Sequence, residues 1–349
     1  MSARRPLRVM LLNSAAPDRS GGAEVWMRRA LGMLAAMGHQ ATGLAPAGSP
    51  ALPGGDGSPA EGGPRGHAWD GGLGSLARTL REFRPDVAVA VQHRDLRRLW
   101  WAARGTPVRR VMARHLASEK PSWKRRFHYA QLCDAVWTTS EYMRGRLERL
   151  DRVAPHRIFV MRPSLPPLPA RPEPGGPPTL LCVGRLAPEK GQDVLLLARQ
   201  RMRMPARLCI IGRGREEAAL RSLARSLGLE DAVEWTAHLD DLAPAFAAAH
   251  LAVQPSRLEA FGLAALEALA RGVPVVGSRV GGLPEVVGEA GELVEPDDPA
   301  ALAAALDRGL QDGALRAGWS ESGVLRARSL FSPAEEARSL ERALEGSLP

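Results

Sequence analysis

With 349 residues, 45% hydrophobic and 24% charged, the chain is long enough for two domains with separate cores and too apolar to be disordered. The net charge of +9 is uneven: residues 1–170 hold 27 Lys/Arg against 13 Asp/Glu, and the remainder 20 against 25. No apolar run reaches membrane-spanning length, and basic residues 1–6 lead into an apolar run of only 7–12, too short for the signal peptide that such a start would suggest.

The basic first half suits an anionic partner, such as a membrane surface, a phosphorylated acceptor or a nucleic acid, or else is an arginine-rich face with no partner. Cys133, Cys182 and Cys209 lie in apolar runs without metal-type spacing, so they read as reduced core thiols of a cytosolic protein.

In chain order, an apolar strand over 7–13 is followed by a loop with Asp18, Gly21 and Gly22 and a helix over 23–37. Strand, glycine turn and helix N-terminus make a cradle for phosphate or sugar, although no G-x-G-x-x-G dinucleotide fingerprint is present. A strand over 39–45 precedes residues 46–74, rich in Gly, Pro and Ala, which read as a loop. Alternation then resumes: helix 75–83, strand 87–92, helix 95–104, strand 108–115, basic helix 123–132, strand 135–140, helix 141–150 and strand 158–161. Eight prolines between 163 and 178 rule out helix or central strand and mark a stiff connector.

The second half alternates likewise, with strands over 179–183, 207–211, 232–236, 251–254, 273–277 and 292–294. Helices over 191–203, 215–227 and 241–249 separate the first four. Pro284 opens a short helix, and Asp298 with Pro299 supplies an N-cap and first position to another. Apolar strands alternating with helices predict two parallel α/β sheets covered on both faces, with ligands at the strand carboxyl ends and the site in a cleft between the domains. The domains expected are 1–165, a proline-rich linker over 166–178, a second domain over 179–332, and a C-terminal helix over 333–349 packing back toward the first domain.

The most informative stretch is QPSRLEAFGLAALEALARGVPVVGSRVGGLPEVV at 254–287. Glu259 and Glu267 are eight positions apart; on one helix they would stand about 80° and 12 Å from each other. Pro255, Ser256 and Gly262 instead place the helix start near Leu263, with Glu259 in the loop and Glu267 on the second turn. The amides around Phe261, Gly262 and Leu263 then form a helix N-terminus suited to an anion. Arg185 and Lys190, five apart across a strand-to-helix turn, can clamp a diphosphate, Arg through its planar fork and Lys as a compact charge.

These residues carry a resemblance. VGRLAPEKGQDVLLLA at 183–198, IIGRGREEAAL at 210–220 and the stretch at 255–287 resemble the C-terminal nucleotide-sugar domain of glycosyltransferase family 4, with its E-x7-E motif. GGAEVWMRRAL at 21–31, the strand ending in His115 and CDAVWTTSEYMRGRL at 133–147 agree more loosely. The resemblance implies a GT-B architecture of two Rossmann-like doubly wound domains, with the acceptor on the first and the nucleotide sugar on the second. It further implies a retaining transfer that needs no metal and no other cofactor.

Position by position, Arg185 and Lys190 match the donor-diphosphate contacts. Glu267 matches the ribose contact, and Glu259 the carboxylate facing the transferred sugar. Phe261, Gly262 and Leu263 offer amides there. Gly22 matches a glycine that lets a loop approach the donor phosphates, His115 a strand-end histidine near donor sugar and acceptor, and Leu239 a backbone neighbour of the base. Ala237 and Ala260 stand where the family often has Gly, which leaves the base and sugar open.

The implied reaction is hexosyl transfer from a nucleoside-diphosphate sugar to a glycan or glycolipid acceptor, as in lipopolysaccharide or other cell-envelope synthesis, on the cytoplasmic side. Aromatic residues interleaved with basic ones at 123–129, and Trp100-Trp101 before another basic stretch, suit an anionic membrane surface, or are amphipathic helices with aromatics in the core. No recognised nucleic-acid motif occurs, so nucleic acid is not an expected partner. A GT-B nucleotide-sugar epimerase and a non-catalytic nucleotide-sugar binder remain alternatives, and a dehydrogenase lacks its glycine turn.

Overall fold

A computed structural model describes residues 5–15, 22–49, 51–52, 65–115, 121–169, 174–237, 239 and 241–348. It divides into two compact units, residues 1–163 with 336–349, and residues 164–335.

The first unit is built on β1 (Arg8–Leu12), β2 (Gln40–Ala45), β3 (Arg65–Ala68), β4 (Val87–Ala90), β5 (Arg109–Arg114), β6 (Ala135–Thr138) and β7 (Ile158–Val160). Its helices are α1 (Gly22–Ala36), α2 (Leu73–Phe83), α3 (His93–Ala102), α4 (Trp123–Gln131) and α5 (Glu141–Asp151). The strands pair in parallel in the order β3-β2-β1-β4-β5-β6-β7, a doubly wound order with β1 in the middle. Both sheet faces are covered: Val9 and Leu11 of β1 enter one apolar cluster, Met10 and Leu12 the other.

The second unit repeats the plan with β8 (Thr179–Val183), β9 (Arg207–Ile211), β10 (Val233–Thr236), β11 (Leu251–Gln254), β12 (Val275–Ser278) and β13 (Gly291–Val294). Its parallel order is β10-β9-β8-β11-β12-β13. Helices α6 (Gln192–Arg201), α7 (Glu217–Ser226), α8 (Ala243–Ala248), α9 (Leu263–Ala270), α10 (Leu283–Val287), α11 (Pro299–Gln311) and α12 (Gly313–Leu330) cover it. Leu180 and Cys182 face one cluster, Leu181 and Val183 the other.

Three elements differ from the sequence reading. Part of the expected loop over 46–74 is strand β3, paired with β2 through Thr42 and Arg65; RGHA is an exposed edge with no large apolar or β-branched residue to announce it. The loop's residues 53–64 lie outside the described residues. Helix α12 is also unheralded, because its small, polar and charged residues show no sustained apolar stripe. It nevertheless backs the site helix: a Cβ on Gly323 would sit 3.0 Å from Leu269 of α9, and Ser320 donates to the Gly272 carbonyl at 2.7 Å. Finally, the proline-rich segment is partly docked, with Leu165 and Leu168 against the second unit's core and the Leu165 amide on the Phe331 carbonyl at 3.1 Å.

The last helix, α13 (Pro333–Ser347), buries Leu340, Ala343 and Leu344 in the first unit's core. Arg29 pairs with buried Glu336 at 2.6 Å, and the Trp137 indole donates to Ser347 Oγ at 3.0 Å.

Candidate active site

The second unit's site grows from loops pressed together at the carboxyl ends of β8, β9 and β11. After β8 the chain runs through Gly184 and Arg185 into a 3₁₀ turn over Pro188–Lys190 and then α6. Gly191 has φ +67°, and a Cβ there would lie 2.0 Å from the Pro255 carbonyl oxygen, so only glycine lets the two backbones meet. The amides of Arg257 and Leu258 donate to the Glu189 carbonyl at 2.9 and 3.2 Å. Buried Gln192 donates to the Arg185 carbonyl at 3.0 Å and fixes the entering strand.

This backbone contact brings together residues 69 apart in sequence: Lys190 Nζ donates to Glu259 Oε2 at 2.6 Å. The Lys190 and Glu259 side chains are 21% and 12% exposed, enough for a ligand to reach them. Gln254 Nε2 lies 3.4 Å from the same carboxylate oxygen and donates to Ser256 Oγ at 3.0 Å. Arg257 braces the loop by donating to Asp193 at 2.7 and 2.9 Å, to Asp297 at 2.6 Å and to the Pro188 carbonyl at 2.7 Å. Burial alone would raise the Asp193 carboxyl, but the Arg257 hydrogen bonds and charge outweigh it and hold it below the usual range.

The glycine pair that closes the stretch has a structural task. Gly281, at φ +62°, would place a Cβ 1.7 Å from the Glu259 carbonyl oxygen, and the Gly282 amide donates to that oxygen at 3.1 Å. The loop carrying Glu259 is therefore held from both sides by backbone. Gly262, at φ +107°, caps α9, and no side chain caps the first turn. Its amides stay available for an anion.

The other sequence-selected residues divide. Phe261 contributes backbone only, since its ring is buried edge-to-face on Phe331 at 5.6 Å. Leu263 is 39% exposed on the first turn of α9. Glu267, on the second turn, accepts from Arg271 at 3.2 Å, and Arg271 lies over the Phe246 ring. Arg185 is 64% exposed and pairs with Glu189 at 2.5 Å. Leu239 is half-buried against the second unit's core, with its neighbours His238 and Asp240 outside the described residues.

Gly22 and His115 belong to the first unit. Gly22 opens α1, and His115 follows β5 with its ring centroid 4.5 Å from that of Trp26. Burial, with a lesser contribution from Arg114, pushes the His115 imidazole down to about 4, so it is neutral near pH 7. Its Nε2 is buried and has no hydrogen-bond partner among the described residues.

Sequence reasoning did not find Gln254, Arg257 or Asp193 as supports. Arg257 stands inside the motif, but nothing in its spacing reveals a partner 64 residues away.

Two family models match. "Glycosyltransferase Family 4" matches residues 20–165 and "Glycosyl transferases group 1" residues 169–326. The chain belongs to the family 4 glycosyltransferases and has the GT-B fold. It is 44% identical over 154 residues to the D-inositol 3-phosphate glycosyltransferase of Acidothermus cellulolyticus, a match covering 40% of this chain and 34% of the relative. The chain thus spans about a third of that relative's length. Among solved structures, sucrose-phosphate synthase from Thermosynechococcus elongatus superposes with a TM-score of 0.84 at 22% identity, covering 98% of each chain. Anabaena HepE in complex with UDP and glucose does so with 0.81 at 18% identity, covering 97% of this chain and 99% of HepE.

Proposed function

We propose that this chain transfers a hexose-type sugar from a nucleoside diphosphate to an acceptor hydroxyl, with retention of anomeric configuration and no metal cofactor. The observation that carries the reading is the Lys190–Glu259 pair beside the uncapped start of α9, with Arg185 on the same turn as Lys190. A diphosphate entering there exchanges the Glu259 carboxylate for phosphate oxygens on Lys190, with the α9 amides and Arg185 completing its coordination. These groups meet the negative charge that grows on the leaving diphosphate, the task a divalent cation performs elsewhere. Released from Lys190, Glu259 turns to the hydroxyls of the sugar, while Glu267, one turn into α9, takes the ribose. The acceptor hydroxyl enters from the leaving-group side of an oxocarbenium-like sugar, so neither glutamate serves as a general base.

UDP is the first nucleotide to test, because HepE is seen with UDP and glucose. Thermal shift against UDP, GDP, ADP and their sugars should give one stabilising nucleotide, with the shift lost in Lys190→Ala. An equal shift in that variant removes the clamp assignment. Transfer of labelled sugar to an acceptor separates this reading from epimerisation and from binding without catalysis.

The acceptor side is proposed to work at the cytoplasmic face of an anionic membrane on glycolipid, lipopolysaccharide or related envelope glycans. Support comes from the exposed aromatics Trp101, Trp123 and Phe127, at 55%, 74% and 54%, interleaved with Arg97, Arg104, Lys124 and Arg126 on and beside α3 and α4. No helix among the described residues is long and apolar enough to cross a membrane. Sedimentation with anionic liposomes at low salt should capture the protein, and Trp123→Ala with Phe127→Ala should release it; no capture discards the membrane assignment.

A further inference from the structure

The first unit contains a cavity of about 600 Å³ at the carboxyl edge of its sheet, walled by Ser14 after β1, Pro46 after β2, Trp69 after β3, and Arg94 and Arg98 on the first turns of α3. That is the edge where open parallel sheets take ligands, and the volume suits a monosaccharide carrying a substituent. We propose that this cavity holds a sugar or polyol phosphate as the acceptor, with Arg94 and Arg98 on the phosphate and the Trp69 wall on the ring. The proposal rests on the transfer reading above and names the acceptor's chemical class.

The two arginines stand i and i+4 on α3, so they share a helix face. Arg94 Nε donates to Ser14 Oγ at 2.6 Å and its Nη2 to the Ser14 carbonyl. Arg98 Nη1 lies 3.5 Å from Ser14 Oγ and 3.4 Å from Asp95 Oδ1, and its guanidinium is stacked 5.6 Å above the Trp69 ring. Arg94 Nη1 and Arg98 Nη2 have no partner among the described residues, so each fork keeps donors for a ligand.

The support beneath them is rigid. Asp95 has no exposed surface and accepts from the Ser14 amide at 2.8 Å and from its hydroxyl, so it anchors the serine between the arginines. The Trp69 indole donates to the Gly72 carbonyl at 3.1 Å, which fixes the ring plane. Asp70, the acid in the wall, already accepts from Ser75 at 2.6 Å and from the Gly72 amide at 2.7 Å. Gly71, at φ +80°, leaves room for Arg98, whose Nη1 would stand 3.4 Å from a Cβ there.

Further cations lie in the same unit, outside the cavity's lining. Arg97, Arg114 and Lys124 form no ion pair among the described residues, and the imidazoles of His93 and His128 lie among them, 5.7 Å apart. Burial first, then Arg114 and more weakly Arg97, hold His93 at about 3, so its imidazole stays neutral.

The test is isothermal titration of the full chain with glucose 6-phosphate and with glucose, and sedimentation with phosphatidylcholine vesicles with and without phosphatidylinositol. The wild type should bind glucose 6-phosphate, or the phosphatidylinositol vesicles, at least ~10-fold better than the unphosphorylated probe, as two charge-assisted contacts imply. Arg98→Gln should abolish that preference, and exposed Arg94→Gln should weaken it without burdening the fold. Lys190→Ala, at the donor turn, should retain it. Preference for the soluble probe assigns a free sugar phosphate, and preference for the vesicles alone a lipid-linked one. Equal binding of phosphorylated and plain probes overturns the proposal, as does a preference lost in Lys190→Ala but kept in both arginine variants. The nucleotide thermal shift, measured on the same arginine variants, should be unchanged, which separates failure here from failure of the transfer reading.

Discussion

The two sheets arrange the charges at their carboxyl edges differently. In the second unit the site's charges have protein partners: Lys190 with Glu259, Arg185 with Glu189, Arg271 with Glu267, and Arg257 with Asp193 and Asp297. Their loops meet backbone to backbone through glycines, as at Gly191 against Pro255 and Gly281 against Glu259. In the first unit Arg98 pairs with Asp95 at 3.4 Å, but Arg97, Arg114 and Lys124 form no ion pair among the described residues. Paired charges hold a geometry ready and exchange one anion for another when the ligand arrives. Unpaired ones maintain a standing field that draws a charged partner from a distance.

Breaking the second unit's pairing should have the largest effect. Lys190→Ala removes the cation proposed to exchange Glu259 for phosphate, and turnover should fall on the order of 10²-fold or more. Near-normal turnover in a steady-state assay would end the comparison. Gly281→Ala comes next, since it forces an alanine to φ +62° with its Cβ on the Glu259 carbonyl. It should cost about 2 kcal/mol of stability or more, read as a lower Tm, and weaken nucleotide binding; an unchanged Tm would show that the backbone contact is not needed.

A gentler probe is pH, which should sharpen the contrast from the first unit's side. His93 and His115 are held at about 3 and about 4, chiefly by burial, against an ordinary value near 6.5. Between those values the unfolded chain binds protons that the folded one does not. The stability they contribute is therefore complete above about pH 6.5 and is lost as the pH falls toward 4, at up to ~1.4 kcal/mol per pH unit for each histidine. His115→Gln and His93→Gln should flatten the Tm profile over that interval. A wild-type profile already flat there would show that both imidazoles are accessible to protons.

The sequence was most legible where local chemistry dictates local structure. The start of α9 at Leu263 follows from Gly262 and the apolar run after it, and Asp298 with Pro299 announces α11, where the Asp298 carboxylate accepts from the Ala300 and Ala301 amides. Apolar runs such as 7–13 and 251–254 mark strands buried on both faces. Strand β3 was illegible because an exposed edge strand needs no apolar residue, and α12 because its packing on α9 relies on small residues such as Gly323. At the site, motif positions were legible but not partners. Phe261 reads like its motif neighbours, yet its ring is core while its backbone is site.

By itself, then, the sequence determined the alternation of strand and helix, the loops that carry Arg185, Lys190 and Glu259, and the excess of cations in the first half, because periodicity, caps and composition are local properties of the chain. Only the tertiary structure decided that Lys190 meets Glu259, that Arg257 braces their loop, and that Arg94 and Arg98 meet at Ser14 beside a cavity. Those contacts join residues tens of positions apart, and their distances depend on how closely glycine lets two backbones approach and on which side chains the packed sheets bring to one edge.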